Sequence, residues 1–583
     1  MRSLSGDSMP DLYVLGLSGY LGNKASHDAA CALLRNGEIV AMAEEERYNR
    51  RKRTRDFPVN AINFCLKAAG ITVADVAAIG VGTDPRAALR RYLVRGLVRW
   101  LLGGLGRVSE VLGLPYLSSV RANRIAELIR ANVYVRLGRH EIPIFYVDHH
   151  LAHAASAYFT SGFSDAAVLT WDGGGDGLTG MLLRGRGDRL EVLRELDGRH
   201  LNVGLMYQMA SNYLNLSDEG SLMGLASYGR PNGALDKYVD WAALTMHPDL
   251  RTSLNMWPDN TFHITSSIAR ELGAPRLAGE PIKEEHKVFA ANVQDLIERI
   301  GWRLVDEVCQ FAGSRKLCMA GGVALNAVFN GKLARSGKVE DLFVVPCPED
   351  GGTALGAAFI AHQRLGGKVE SRRLAHAYWG PEFTDQEIQR ALDTVGVTAE
   401  RLTDQDVIDR TARLLVNGAI VGWFQGRAEW GPRALGNRSI LADPRREEIR
   451  ERVNEVVKYR DEWRPFAPSM LEKAAEDYLG GAVYAPFMLL TFPVQPLARR
   501  DIPAVVHVDG TTRPQLVRQE INPRYYAVIQ RFSELSGVPA LLNTSFNLKG
   551  EPIVNAPIDA LRCFWSSGLD LLVMGNYLVQ KPR

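Results

Sequence analysis

Apolar residues in this chain fall into short runs closed by glycine, aspartate or asparagine, a pattern of strands and tight loops. Residues 13–17 make the first run, followed by a Gly/Ser loop and Ser26-His27-Asp28. Residues 30–34 and 38–43 flank Asn36-Gly37, a pair that tolerates positive φ and so predicts a two-residue hairpin. The arrangement partly recurs. Apolar residues 166–170 enter Asp172-Gly173-Gly174-Gly175-Asp176, and residues 180–183 with 190–193 predict a second hairpin around 185–188. A third run, 317–320, enters Gly321-Gly322 and a helix-compatible stretch. A fourth, 342–345, enters Asp350-Gly351-Gly352 and a helix over 353–362. Strands ending in Gly/Asp loops, twice over, predict a two-lobed α/β fold with its ligand in the cleft.

Gly366-Gly367-Lys368 closes that pattern. Beyond it, strands at 420–424, 540–542 and 571–574 and helices at 407–416 and 445–458 predict a second unit with its own core. Two domains are therefore expected, 1–367 and 368–583, as a chain of 583 residues is long for one core. The 46% hydrophobic and 23% charged content excludes a disordered or fibrous chain. Basic and acidic residues nearly balance, 69 against 66, which argues against a nucleic-acid partner. Six scattered cysteines without a CxxC pair read as reduced thiols. With no secretory h-region and no apolar stretch of about eighteen residues, no membrane partner is expected and the cytoplasm is the default.

Residues 86–139 stand apart, holding eleven arginines against two glutamates among Leu, Val and Trp100. They read as a basic helical insertion whose arginine stems cover apolar surface. A membrane- or partner-facing helix and a lid over an acceptor pocket are the other readings.

Three groups of residues carry chemistry. Asp148-His149-His150-Leu151-Ala152-His153 follows the apolar strand 142–147. On a helix His149 and His153 share one face, a spacing able to chelate an ion. Asp172 and Asp350, each at a strand end beside glycines, would complete a two-His, two-carboxylate set suited to Fe(II), Mn(II) or Zn(II); satisfied structural histidines are the alternative. Gly173-Gly174, Gly321-Gly322 and Gly351-Gly352 are loops where backbone can approach a phosphate, which favours a nucleotide site. Finally, Arg433, Lys458, Arg464 and Arg513 lie in segments interleaved with Gly, Pro and aromatic residues, joined by Leu542-Asn543-Thr544-Ser545-Phe546-Asn547. Cations held between such turns suit phosphate charge and phosphoryl or nucleotidyl transfer; a surface ion-pair network is the alternative.

Ser26-His27-Asp28-Ala29, Glu44-Glu45-Glu46-Arg47, the stretch from His149 to Tyr158, Glu219-Gly220-Ser221-Leu222-Met223-Gly224-Leu225-Ala226, Gly321-Gly322-Val323-Ala324-Leu325-Asn326 and the second-unit motifs occur in one order. In that order the sequence resembles the NodU/CmcH family of O-carbamoyltransferases nearly end to end. The resemblance implies a two-lobed actin-like (ASKHA) domain followed by a YrdC-like α/β domain. The second would form carbamoyl adenylate from carbamoyl phosphate and ATP with Mg2+; the first would pass the carbamoyl group to a hydroxylated small-molecule acceptor. It places a divalent metal, Fe2+ as first choice, on His149, His153, Asp172 and Asp350. It places His27 and Lys52 at the transferred group, and Gly321, Gly322 and Asn326 at adenosine. Arg433, Lys458, Arg464, Arg513 and Ser545 fall on the activating site. Asp218 or Glu219 is a weaker candidate base for the acceptor, and relatives suggest a homodimer. A tRNA threonylcarbamoyl-type enzyme, a non-catalytic nucleotide-binding regulator and a metallohydrolase are the rivals. The acceptor itself is not legible.

Overall fold

The computed structural model describes residues 11–19, 27–87, 90–91, 133–137, 140–198, 200–246, 275–480 and 484–581. Its first sheet has six strands, in the spatial order Glu38–Glu44, Ala30–Arg35, Tyr13–Ser18, Val76–Val81, His140–Tyr146 and Val133–Leu137. The first three pair antiparallel and the next two join in parallel. The first hairpin turns at Asn36 and Gly37, both at positive φ (54° and 84°), which matches the right-handed strand twist. A second sheet repeats the plan with Asp341–Val344, Lys316–Ala320, Asp165–Gly175, Leu178–Arg186 and Arg189–Asp197, again parallel on one side and antiparallel on the other.

Two helices fill the space between these sheets. Thr353–Arg364 lies on the first sheet and His149–Phe159 on the second, and they pack against each other. Small residues permit this approach: a Cβ on Gly16 would lie 1.9 Å from the Ala354 carbonyl oxygen, and one on Gly356 only 1.7 Å from that of Ala152. Larger side chains there would push the lobes apart. The two sheets and the helix pair between them make a two-lobed α/β arrangement.

The remaining strands form one eight-stranded mixed sheet, ordered Glu400–Arg401, Tyr577–Gln580, Leu571–Met574, Val421–Phe424, Arg438–Ala442, Ala540–Ser545, Ala467–Leu471 and Gln515–Val517. An apolar core runs continuously from the second lobe into this sheet. Polar contacts also join front and back: Trp463 Nε1 donates to Ser221 O (3.2 Å), Asn330 Nδ2 to Leu489 O (3.0 Å), and Arg50 to the Pro552 and Ile553 carbonyls (2.7 Å each).

Two expectations change. The helix expected over 445–458 is Glu447–Val453 followed by a wider π-helical turn, Asn454–Lys458, which ends at Tyr459 in the left-handed region. Packing sets this break, since Gly568 N donates to Val456 O at 2.7 Å. Of the basic segment 86–139, residues 88–89, 92–132 and 138–139 lie outside the described residues; 86–87 and 90–91 are helical, whereas 133–137 form an edge strand. Among the described residues, no helix is long and apolar enough to cross a membrane.

Candidate functional site

The first cluster grows from a helix start. Asp148 caps His149–Phe159 by accepting from His150 N (3.0 Å) and Leu151 N (3.3 Å), which fixes the first turn where the lobes meet. One helical turn then aligns the two imidazoles, with Nε2 atoms 3.1 Å apart. Asp172 Oδ2 lies 3.3 Å from His149 Nε2 and 3.2 Å from His153 Nε2, and Asp350 Oδ1 lies 3.5 and 3.8 Å from them. All four donor atoms fall within 4.8 Å of one another. An ion bound at about 2.1 Å separates its donors by about 3.0 Å in octahedral and about 3.4 Å in tetrahedral geometry, so the set fits a first-row divalent cation. Gly175 makes room, since a Cβ there would stand 2.1 Å from His149 Cδ2.

The electrostatics point the same way. Burial disfavours a His149 imidazolium, but Asp350, then Asp172 and Asp176, outweigh it and raise the pKa to about 10. Burial works against the Asp172 carboxylate too, yet its contacts with His149 and His153 hold it well below its ordinary value. The centre calls for positive charge between its carboxylates, whether proton or metal. His150 behaves differently: burial, then the His149 charge, drives its pKa to about 3, so it is a neutral packing residue. His27 stands at the edge, its Nδ1 2.6 Å from Asp28 Oδ2 and 3.8 Å from Asp350 Oδ2.

The second cluster lies on loops of the eight-stranded sheet. Among the described residues, Arg433 and Arg513 have no hydrogen-bond or ion-pair partner, and Arg433 Nε is buried. Burial, then Arg433, Arg460 and Arg464, push the Arg513 pKa well below its ordinary value. Mutually repelling, half-buried cations of this kind suit an anion. Lys458 is placed otherwise: its ammonium donates to Ser545 O, Ser545 Oγ (3.2 Å), Asn547 O (3.1 Å) and Asn547 Oδ1 (2.8 Å) and so holds the 545–547 turn. Arg464 reaches across to the front half and binds Asp218 Oδ2 at 2.9 Å. Lys52, exposed and without a partner among the described residues, is close enough to influence both Asp218 and Lys458.

Several glycines serve packing. A Cβ on Gly321 (φ 93°) would lie 2.3 Å from Trp171 O, and one on Gly352 would lie 2.1 Å from Cys347 O. A Cβ on Gly322 would face Asp172 Oδ1 (3.0 Å), whereas Gly173, Gly174 and Gly351 are less tightly surrounded. The Asn326 side chain caps the helix Ala327–Arg335 and pairs with Gln294.

Four contributors have no role assigned from the sequence. Arg53 binds Glu219 (3.0 Å) and acts electrostatically on His27 and Asp28. Arg460 sits over the Phe466 ring (4.2 Å) beside these cations. Glu349, next to Asp350, is the main anion acting on Arg433. Arg47 joins the two halves. Arg47 stands in the Glu44-Glu45-Glu46-Arg47 motif, Arg460 two residues after Lys458 and Arg53 in the charge run 50–55, but none of these patterns states a role.

Fold and site together define a two-lobed α/β protein with a metal-type centre in front and a cluster of cations behind. The Carbamoyltransferase N-terminus family model matches residues 15–359 and the Carbamoyltransferase C-terminus model residues 412–581, and the chain belongs to this family: it is a carbamoyltransferase. It is 37% identical to nodulation protein NolNO of Sinorhizobium fredii, over 97% of this chain and 82% of that one. Nodulation protein NolO of Bradyrhizobium diazoefficiens is 38% identical, over 75% of this chain and 79% of its own. Among solved structures, full-length HypF in its phosphate- and nucleotide-bound form aligns with 62% of this chain and 56% of its own at 15% identity, with a TM-score of 0.32.

Proposed function

We propose that the chain is an ATP-dependent O-carbamoyltransferase of two domains, meeting near residue 367, that works through carbamoyl adenylate. Carbamoyl phosphate is hydrolysed to carbamate and phosphate. Carbamate oxygen then attacks the α-phosphorus of Mg2+-ATP, and pyrophosphate leaves. An acceptor hydroxyl next attacks the carbamoyl carbon, AMP leaves, and the hydroxyl proton passes to a base or water. One observation carries this reading: the chain of a carbamoyltransferase holds a centre that demands a cation and, across the join of its halves, a cluster that demands an anion.

Arg433, Arg464 and Arg513 receive the phosphates and oppose the charge that develops on pyrophosphate. Lys458 holds the Ser545 turn against them. His149, His153, Asp172 and Asp350 hold the divalent ion, with Fe2+ our assignment, which supplies Lewis-acid charge beside the transferred group. Gly173, Gly174, Gly321, Gly322, Gly351 and Gly352 let backbone come near the adenylate. His27 and Lys52 face the carbamoyl group. Asp218 is a poor base, because Arg464, Ser221 N and Lys52 hold its carboxylate below its ordinary range against the effect of burial. An adenylate made behind and used in front needs an enclosed route past Glu349 and Arg53, or water consumes it. The acceptor is a small hydroxylated molecule, the setting the cytoplasm, and the assembly a homodimer.

Incubation with carbamoyl phosphate, ATP and a panel of polyhydroxylated metabolites tests the reading. Pyrophosphate release and a carbamoyl-sized mass gain on one acceptor are expected. Release of phosphate alone, without pyrophosphate, would refute the adenylate route.

A further inference from the structure

The run Glu44-Glu45-Glu46-Arg47 is used residue by residue. Glu45 accepts from Asn60 N and Ala61 N (3.0 Å each) and so caps a neighbouring helix, and Glu46 accepts from Arg53 N (2.7 Å). Glu44 Oε2 accepts from Arg47 Nε at 2.7 Å. Arg47, only 3% exposed, spans the join: its Nη2 donates to Gly431 O at 2.5 Å, 384 residues away in sequence. Gly431 itself, at φ 104°, lies against the loop of the metal centre, since a Cβ there would stand 2.4 Å from Pro346 O and 3.3 Å from Cys347 Cα. Asp350 follows four residues after Pro346, and Arg433 two residues after Gly431. The cation-demanding and anion-demanding clusters therefore share one backbone contact. Arg47 is the side chain that clamps it from the front half.

We propose that Arg47 is a positioning residue that locks the Asp350 loop to the Arg433 loop, so that a cation in front and an anion behind bind interdependently. This rests on the two-site reading above and deepens it. A planar guanidinium reaches Glu44 and Gly431 O together, whereas a lysine ammonium keeps the charge but loses the fork. Coupling of this kind is reciprocal, each ligand changing the other's affinity by one factor.

The test uses the full chain, with Co2+ at free concentrations fixed by a metal buffer and inorganic pyrophosphate as the anion probe. In the wild type, saturating pyrophosphate is expected to change Co2+ affinity by about fivefold or more, and Co2+ to change pyrophosphate affinity equally. In Arg47→Lys both ligands still bind alone, but the factor collapses towards one. Glu44→Gln, which frees the other end of the clamp, gives the same collapse should Arg47→Lys fold poorly. Independent binding in the wild type, or a factor unchanged in both variants, overturns the proposal while leaving the two sites standing. A wild type that binds neither probe overturns the two-site reading and this inference with it.

Discussion

The front and back clusters are built on opposite terms. In front, every ligating atom of His149, His153, Asp172 and Asp350 lies within 4 Å of another of the four, and protons or a metal can settle the charge inside the group. Behind, Arg433 and Arg513 repel each other and find no partner among the described residues. Arg438, on the same sheet, is placed differently: its Nε has no partner, but its two Nη groups donate to the Gln425, Gly426, Asn437 and Pro381 carbonyls and it lies 3.7 Å over the Phe424 ring. An arginine kept for structure spends its Nη donors on carbonyls, and one kept for a ligand leaves them uncommitted.

The largest expected effect breaks the front half. Removing one imidazole with His153→Ala leaves Asp172 and Asp350 facing each other with half the nitrogen ligands. Bound metal measured by elemental analysis should fall below one-tenth occupancy, and carbamoyl transfer should drop by more than about 100-fold. Pyrophosphate release should survive, altered only by the several-fold coupling between the clusters, because the residues of the back cluster are unchanged.

Arg513→Ala is the mirror experiment. Pyrophosphate release should fall by about 100- to 1,000-fold, the usual cost of losing one aimed donor. The melting temperature of the ligand-free protein should rise, since a repelling cation is gone. Arg438→Ala should lower it, because packing and four carbonyl partners are lost. If both variants lower the melting temperature alike, the contrast between committed and uncommitted arginines is wrong.

How far these terms could be read in advance follows from distance along the chain. The first hairpin was legible because Asn36-Gly37 states its own turn. The four metal-type residues were legible because each follows a strand that ends in a marked loop. Lys458 was legible only as a cation, since its four oxygen partners lie 87 to 89 residues away. The π-turn that aims it comes from packing on Gly568, not from local pattern. Arg47 was legible only as part of the Glu44-Glu45-Glu46-Arg47 motif, since its partner Gly431 lies 384 residues away.

A smaller effect separates anchor from base at Asp218. The carboxylate accepts from Arg464 (2.9 Å) and from Ser221 N (2.9 Å), which fixes it across the join. As an anchor it can be replaced by Asn at a cost of about tenfold in kcat, roughly 1.4 kcal/mol and so near the low end for one charged hydrogen bond, with the pH profile of kcat unmoved. As a general base its loss would cost about 100- to 10,000-fold and remove the acidic limb of that profile. We expect the anchor result.

The smallest effect lies at His27, where the two clusters are nearest in character. Burial alone would favour the neutral ring, but Asp350, then Asp28, outweigh it and raise the pKa from 6.5 to about 9. A folded-state pKa above the unfolded one means that the protonated ring stabilises the fold below pH 6.5, and that this contribution disappears as pH climbs through about 9. His149 is raised in the same sense, so the slope of wild-type melting temperature against pH reports both rings. In chelator-treated protein His27→Gln should flatten that slope between pH 6.5 and 9 and leave the His149 part. Saturating divalent metal should flatten it in the wild type too, because an ion at Asp350 cancels the charge that raises His27. A slope steeper in metal-loaded than in metal-free protein would place the ion elsewhere and dissolve the contrast between the two clusters.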